Sequence, residues 1–306
     1  MLQLLTTCAV FGTMPFWIKA VGLYPYLGVE VMIWVIYALG FNLLLGTAGL
    51  PSFGHGAYFG VGAYAFGLSQ IHLGTGLWVS LLAAVGTGAL AGAVVALFIS
   101  HRRGIYFALL TIAFGQVFWF VAIKWHSVTR GEDGLLNIRR PAFLEELNSL
   151  YYFCFALFFA VILFLWRLQR SPFGRVLNAI KQNETRARFV GYNVWAYKWL
   201  AFTLSALVAG LAGGLFALAQ QSAYPNVMSL HQSGLVVMMA LIGGGLVSFW
   251  GPVLGVVLFF VARDLLGAYT ETWLLWYGLL FMLVVLFKPE GLAGLFRKNV
   301  RSHAPA

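Results

Sequence analysis

The chain has 306 residues, 61% hydrophobic and 9% charged, and nineteen Lys and Arg against nine Asp and Glu give a net charge of +10. An ordinary soluble domain carries about 25% charged residues, so this composition excludes a water-covered globule and points to an all-α polytopic membrane protein. The basic excess falls between apolar runs of bilayer length, roughly 20 residues each, and reads as membrane topology; a nucleic-acid partner is not expected.

Ten transmembrane or partly re-entrant helices are predicted along a single transmembrane domain spanning 1–306. The first, 4–22, holds Cys8 and lacks both a basic leader region and a small-residue cleavage site, so it reads as a retained helix. Phe16, Trp17, Tyr24 and Tyr26 cluster at its outer end as an aromatic belt. The second, 27–46, has Glu30 near its outer end and Asn42 inside. The third, 54–72, opens on S-F-G-H-G: His55 reads either as a helix-end histidine bonded to free backbone groups or as a gate contact. Gly56, Gly60 and Gly67 give that helix small faces for close packing. Two further passes follow at 77–99 and 104–124, the latter with Thr111 and Gln116.

An outer loop, 125–149, mixes Arg130, Glu132, Asp133, Arg139, Arg140, Glu145 and Glu146 and reads on its own as a solvated surface. The pass at 150–168 contains Cys154. The two cysteines have no metal spacing and read as packing residues. The remaining passes are 196–219, with Thr203 and Ser205, then 233–247, 249–267 and 273–288. The third and eighth are rich in glycine and short, which suggests re-entrant or kinked segments. Asn42, Thr111, Gln116, Thr203 and Ser205 serve either as interhelical hydrogen bonds or as a mildly polar path.

Placing both termini in the cytoplasm puts Arg102, Arg103, Arg167, Arg170, Arg175, Lys181, Arg186, Arg188, Lys198, Lys288, Arg297, Lys298 and Arg301 inside. Lys19, Lys124, Arg130, Arg139, Arg140 and Arg263 are left outside. Only Glu184 and Glu290 among the acids fall inside, and this asymmetry follows the positive-inside rule.

Between the sixth and seventh passes lies SPFGRVLNAIKQNETRARFVGYN, residues 171–193. Ser171-Pro172 is a helix-start signal. Val176, Ile180, Glu184, Ala187 and Gly191 then recur at helical spacing as one stripe, flanked by Arg175, Lys181, Arg186 and Arg188. Such a cytoplasmic helix suits either a membrane-lipid surface or docking against a protein.

No G-x-x-x-x-G-K-[ST] is present, and the dipeptide Gly-Lys does not occur, so no P-loop cradles a nucleotide here. A stand-alone secondary transporter or channel is the alternative. Glu30, Asp264 and Glu271 sit near outer ends, and the span centres carry essentially no carboxylate, which disfavours proton coupling. No metal motif, acid pair or nucleophile–base arrangement suggests an enzyme.

The 171–193 segment resembles the cytoplasmic coupling loop of ABC importer permeases, specifically those of the branched-chain amino-acid importer family. Ser171, Gly174, Arg175, Ala179, Ile180, Glu184, Gly191 and Asn193 match, and Arg186 departs from the family's alanine, although Ala187 agrees. GFNLLLGTAGLPSFGHGAYFGVGAYAFG (Gly40–Gly67), RGIYFALLTIAFGQV (Arg103–Val117), Thr129–Leu135, IGGGLVSFWGPVLG (Ile242–Gly255) and FKPEGLAG (Phe287–Gly294) are similar to further family motifs, in order.

The resemblance implies a permease of the bacterial inner membrane, paired with a second homologous permease subunit and driven by two cytoplasmic ATPase subunits. Those partners would bind ATP and Mg; this chain would hold no cofactor. A periplasmic substrate-binding protein would land on 125–149. Arg175, Ile180, Glu184, Arg186 and Ala187 would contact the ATPase, with Gly191 turning the chain back. Asn42, His55, Gln116 and Thr203 are the candidates for the translocation path. Related permeases of this pattern serve urea, amides or aromatic acids.

Overall fold

A membrane helix forms where an apolar run meets no breaker, because every backbone group must then bond within its own segment. The computed structural model describes residues 2–18, 24–288 and 290–296. Lys19, Arg297, Lys298 and Arg301, used in the charge asymmetry, and the end of the first predicted pass lie outside the described residues.

Among the described residues, ten helices of fourteen or more residues stand where the ten passes are predicted. They are α1 (Leu2–Trp17), α2 (Tyr26–Asn42), α3 (Gly56–Leu73), α4 (Leu77–Ile99), α5 (Gly104–Lys124), α7 (Leu147–Arg170), α10 (Val194–Gln220), α11 (Leu230–Gly243), α12 (Gly251–Gly267) and α13 (Trp273–Phe287). Short helices α6 (His126–Thr129), α8 (Pro172–Gln182) and α9 (Glu184–Phe189) lie in the connections. Among the described residues, five segments are long and apolar enough to cross a bilayer: α2 with the π-helical turn Leu43–Ala48 that continues it, α4, α5, α7 and α10.

The third predicted pass, 54–72, forms as a helix. Its glycines do not break it, and α3 is one unbroken helix of 18 residues. The eighth stops sooner than its predicted end at 247. The chain leaves α11 at Gly244, which takes φ +91°, a left-handed conformation that glycine adopts without a Cβ penalty. At about 1.5 Å per residue, the 14 residues of α11 fall short of a full hydrocarbon core.

Helix α2 is the axis of the bundle, buried along nearly its whole length. Around it pack α1, α7, α10, α11 and α12, and α3 reaches it through the ring of Phe59 against Trp34 and Tyr37. Helix α10 lies against α3 and α4 at backbone distance, because the contact is made of small residues. A Cβ added to Gly210 would stand 2.6 Å from the Ala84 carbonyl oxygen, and one on Gly92 would stand 2.2 Å from the Ala206 Cβ. Small residues at a helix crossing raise dispersion contact, which drives helix association where lipid is as apolar as leucine.

The outermost helices expose apolar flanks: Trp78, Leu82 and Leu90 on α4, Ile105, Val117 and Phe120 on α5, and nearly all of α13, where Tyr277 is the buried residue. Water-facing surfaces of this kind are not tolerated at such extent. With the hydropathy of the helices, they mark a multi-pass membrane protein.

The loop at 125–149 is more than a solvated surface. Leu135, Ile138 and Leu144 are buried, and Leu135 exchanges two backbone hydrogen bonds with Ala223, both 2.8 Å. Arg140 Nη2 donates to the Ala219 carbonyl at 2.7 Å, and the Gln70 side chain accepts from the Arg139 amide at 3.0 Å. These partners lie far away in sequence, so the charge pattern alone did not show them. Cys8 and Cys154 are free thiols, the latter buried.

Candidate coupling site and translocation core

Ser171 caps α8, its Oγ accepting from the Gly174 amide at 3.4 Å, with Pro172 in the first helical position. The single helix expected over 171–193 is corrected at Asn183. That residue is extended (φ −158°, ψ 100°), and its Oδ1 accepts from the Arg186 amide at 2.9 Å, capping a second helix, α9. An asparagine side chain competes for backbone donors in this way and starts helices better than it continues them.

The predicted stripe therefore splits between two helices. Val176, Leu177 and Ile180 on α8 and Ala187 on α9 are buried against the chain's own bundle. Gly191 follows α9, exposed and at φ +101°, and Asn193 caps α10 by accepting from the Ala196 amide at 3.2 Å.

Two lysines tie this arm to the membrane helices. Lys181 Nζ donates to the Gly46 carbonyl at 2.7 Å and to the Leu246 carbonyl at 3.1 Å. Those acceptors lie in the π-helical turn after α2 and just past the end of α11, where helix termini leave carbonyls unsatisfied and favour a cation. Partial burial pulls the Lys181 ammonium below the usual lysine pKa, and the two carbonyls oppose that shift.

The second lysine is Lys198 on α10, 1% exposed. Its Nζ donates to Glu184 Oε2 at 3.3 Å and to the Arg102 carbonyl at 2.5 Å, while Arg188 reaches Glu184 Oε1 at 3.1 Å. Lys198 entered the sequence reading only as an inner charge. The signal that marks it is a lysine set inside an apolar helix, which requires a partner.

The opposite face of the arm is open. Arg175, Arg186 and Arg188 are exposed. Phe189 is 88% and Val190 71% exposed, with Tyr192 beside them. An apolar pair flanked by arginines is costly to leave in water unless a partner covers it.

The four path candidates stand in different surroundings. His55 is fully buried; its Nε2 pairs with Ser205 Oγ at 3.1 Å, and Ser205 donates to the Gly40 carbonyl at 2.6 Å. Rings of Tyr37, Phe41, Tyr58 and Phe202 surround it at centroid distances of 5.5–6.3 Å. His55 precedes the first residue of α3, but its partner is a side-chain hydroxyl and not the free backbone groups expected, and its Nδ1 has no partner. Asn42 is buried with its Oδ1 unpartnered. Gln116 is half-buried on α5, and Thr203 returns its hydroxyl to the Trp199 carbonyl of its own helix at 2.9 Å. Ser205 joins α10 to α2, and Thr111 ties α5 to the turn before α3, accepting from the Phe53 amide at 3.1 Å. Among the described residues no group of three or more His, Cys, Asp or Glu could hold a metal ion.

Lys181→Met keeps the aliphatic stem and removes both carbonyl bonds. Cleavage of the 171–193 arm in limited proteolysis is expected to speed up several-fold, with yield and melting temperature unchanged, because an exposed cation at a helix end contributes only about 0.3–1 kcal/mol. An unaltered cleavage rate would free Lys181 from any part in holding the arm.

Residues 25–287 match the family profile described as branched-chain amino acid transport system / permease component. The chain is 30% identical over 297 residues to the high-affinity branched-chain amino acid transport permease LivM of Salmonella typhimurium, covering 88% of this chain and 70% of that one. It is 26% identical to the probable branched-chain amino acid transport permease LivH of Methanocaldococcus jannaschii, covering 87% and 90%. It is 30% identical to the autoinducer 2 import permease LsrC of an Enterobacter strain, covering 60% and 52%. No solved structure matches the chain.

Proposed function

The chain belongs to the branched-chain amino acid transport permease family, and from that premise we propose that it is one membrane subunit of an ATP-driven importer. Its solute is a branched-chain amino acid or a similar small molecule, delivered by a periplasmic binding protein. The observation that carries this reading is the two-sided arm at 171–193. One side is seated on the bundle through Ile180, Ala187, Lys181 and Lys198; the other presents arginines and bare apolar side chains.

A lever must be rigid between the part that moves it and the part it moves. In this division Arg175, Arg186, Phe189 and Val190 meet the ATPase subunit, while Ile180 and Ala187 hold the arm to the membrane helices. Glu184 ties α9 to α10, and Gly191 turns the chain back. Relatives named LivM and LivH both match, which supports a pair of homologous permease subunits. The match to autoinducer 2 permeases keeps a second solute class in play for the same machinery.

Reconstituted alone in liposomes, this chain is expected to move no leucine. Addition of its paired permease, the ATPases, ATP and the binding protein should start uptake. Uptake by the isolated chain would make it a stand-alone carrier, and an externally applied, impermeant thiol reagent reaching an Asn183→Cys variant would overturn the inward placement of the arm.

A further inference from the structure

A cavity of about 330 Å³ opens between α2, α3, α10, α11, α12 and α13, away from the arm and sharing Tyr37 with the rings around His55. Its volume lies at the lower end of the roughly 300–1,000 Å³ typical of small-molecule sites. Trp34 and Tyr37 from α2 and Phe59 from α3 form apolar walls, Gln232 on α11 lines it, and the exposed His231 stands among its lining residues.

One part of the lining is ionic. Arg263 on α12 holds Glu30 on α2 in a two-point ion pair, 3.0 Å on each arm, and its Nε donates to Asp264 at 3.0 Å. Tyr24 OH accepts from Arg263 Nη2 at 2.9 Å. Asp264 stands behind the lining, and with Glu30 it sets two carboxylates against the one guanidinium at this end of the cavity.

The walls carry polar groups that the protein does not use. Trp34 Nε1, Tyr37 OH and Gln232 Oε1, all on lining residues, are buried without hydrogen-bond partners. Trp34 and Tyr37 are 8% and 1% exposed. Buried polar groups are nearly always paired, so several unpaired around one cavity call for an occupant that supplies the missing partners. Such a molecule needs an amino group for the carboxylate excess, an acceptor for the indole and phenol donors, and an aliphatic part for the aromatic walls.

We propose that this cavity is a binding site for a small zwitterionic solute with an aliphatic side chain, a stop on the transport route inside this subunit. The class of occupant rests on the importer function proposed above; the unpartnered groups and the cavity do not.

The test uses the full chain in lipid nanodiscs, with Cys8→Ser and Cys154→Ala as background. A single thiol is placed by Gln232→Cys, or by His231→Cys should that variant fold poorly, and Glu145→Cys on the outer loop is the control. Maleimide labelling is timed with leucine, urea or glucose present. Saturating leucine should slow labelling at the cavity by about tenfold, as expected at ten times Kd, and leave the control unchanged.

A rate indifferent to leucine, or set by lipid composition alone, would assign the cavity to water or an acyl chain and overturn the proposal. Protection by urea but not leucine would overturn its zwitterionic occupant. Leucine uptake by the assembled importer without protection removes this site and leaves the importer standing. Protection without partner-dependent uptake does the reverse.

Discussion

Replacing Glu184 with arginine is expected to abolish solute uptake by the assembled importer while ATP hydrolysis continues. Glu184 is the anion between Lys198 and Arg188, and the Lys198 side chain is wholly buried. Removing one partner of a buried pair costs about 3–5 kcal/mol, and here a third cation replaces the missing anion. Lys198 would keep only the Arg102 carbonyl.

The least costly relief is for α9 to leave α10, because a surface helix can move and a buried lysine cannot. An arm with slack absorbs the stroke. At about 1.4 kcal/mol per tenfold, a loss near 3 kcal/mol lowers the attached population on the order of a hundredfold. Solute moved per ATP in proteoliposomes reads this directly. Exchange of charges, Glu184→Lys with Lys198→Glu, should recover part of the uptake, since the pair is then remade with its sense reversed. Normal uptake by Glu184→Arg would return the arm to a lipid-surface role.

Two glycine-to-alanine changes on one helical hairpin are expected to act with opposite signs. Gly255 on α12 lies so close to α11 that an added Cβ would stand 1.7 Å from the Met239 carbonyl oxygen. That neighbour is backbone, which cannot rotate away, so the helices must separate. Overpacking of this kind costs about 1–3 kcal/mol, or roughly 5 °C of melting temperature for a chain of this size at about 2–4 °C per kcal/mol.

Gly234 on α11 has no heavy atom within 4 Å of an added Cβ. Alanine there only raises helix propensity, by about 0.8–1 kcal/mol, and the protein should melt slightly higher. Fluorescence-detected melting of the two variants in detergent separates the outcomes. Equal shifts would mean that close backbone approach does not hold α11 to α12.

The same hairpin shows why parts of this protein are legible without its structure. The motif Ile242–Gly255 could be recognised by its residues, but its glycines act through contacts between Gly243 and Gly251 and between Gly255 and Met239. Likewise Thr129, which opens another motif, donates its hydroxyl to the Ala122 carbonyl at 2.7 Å and closes the turn after α5. The residue pattern is local, and its reason is not.

Hydropathy placed the ten helices, and charge asymmetry suggested which side the arm occupies. Both are sums over neighbouring residues, and a bilayer forces each helix to close its own backbone hydrogen bonds. The break at Asn183 is local, a side chain capping the amide three residues on, whereas the anchors at Lys181 and Lys198 and the cavity between α2 and α12 depended on groups far apart in the chain. Glu30 meets Arg263 across 233 positions, and Lys181 meets Gly46 across 135. Only packing six helices around α2 decides which of those distant groups are left facing one another.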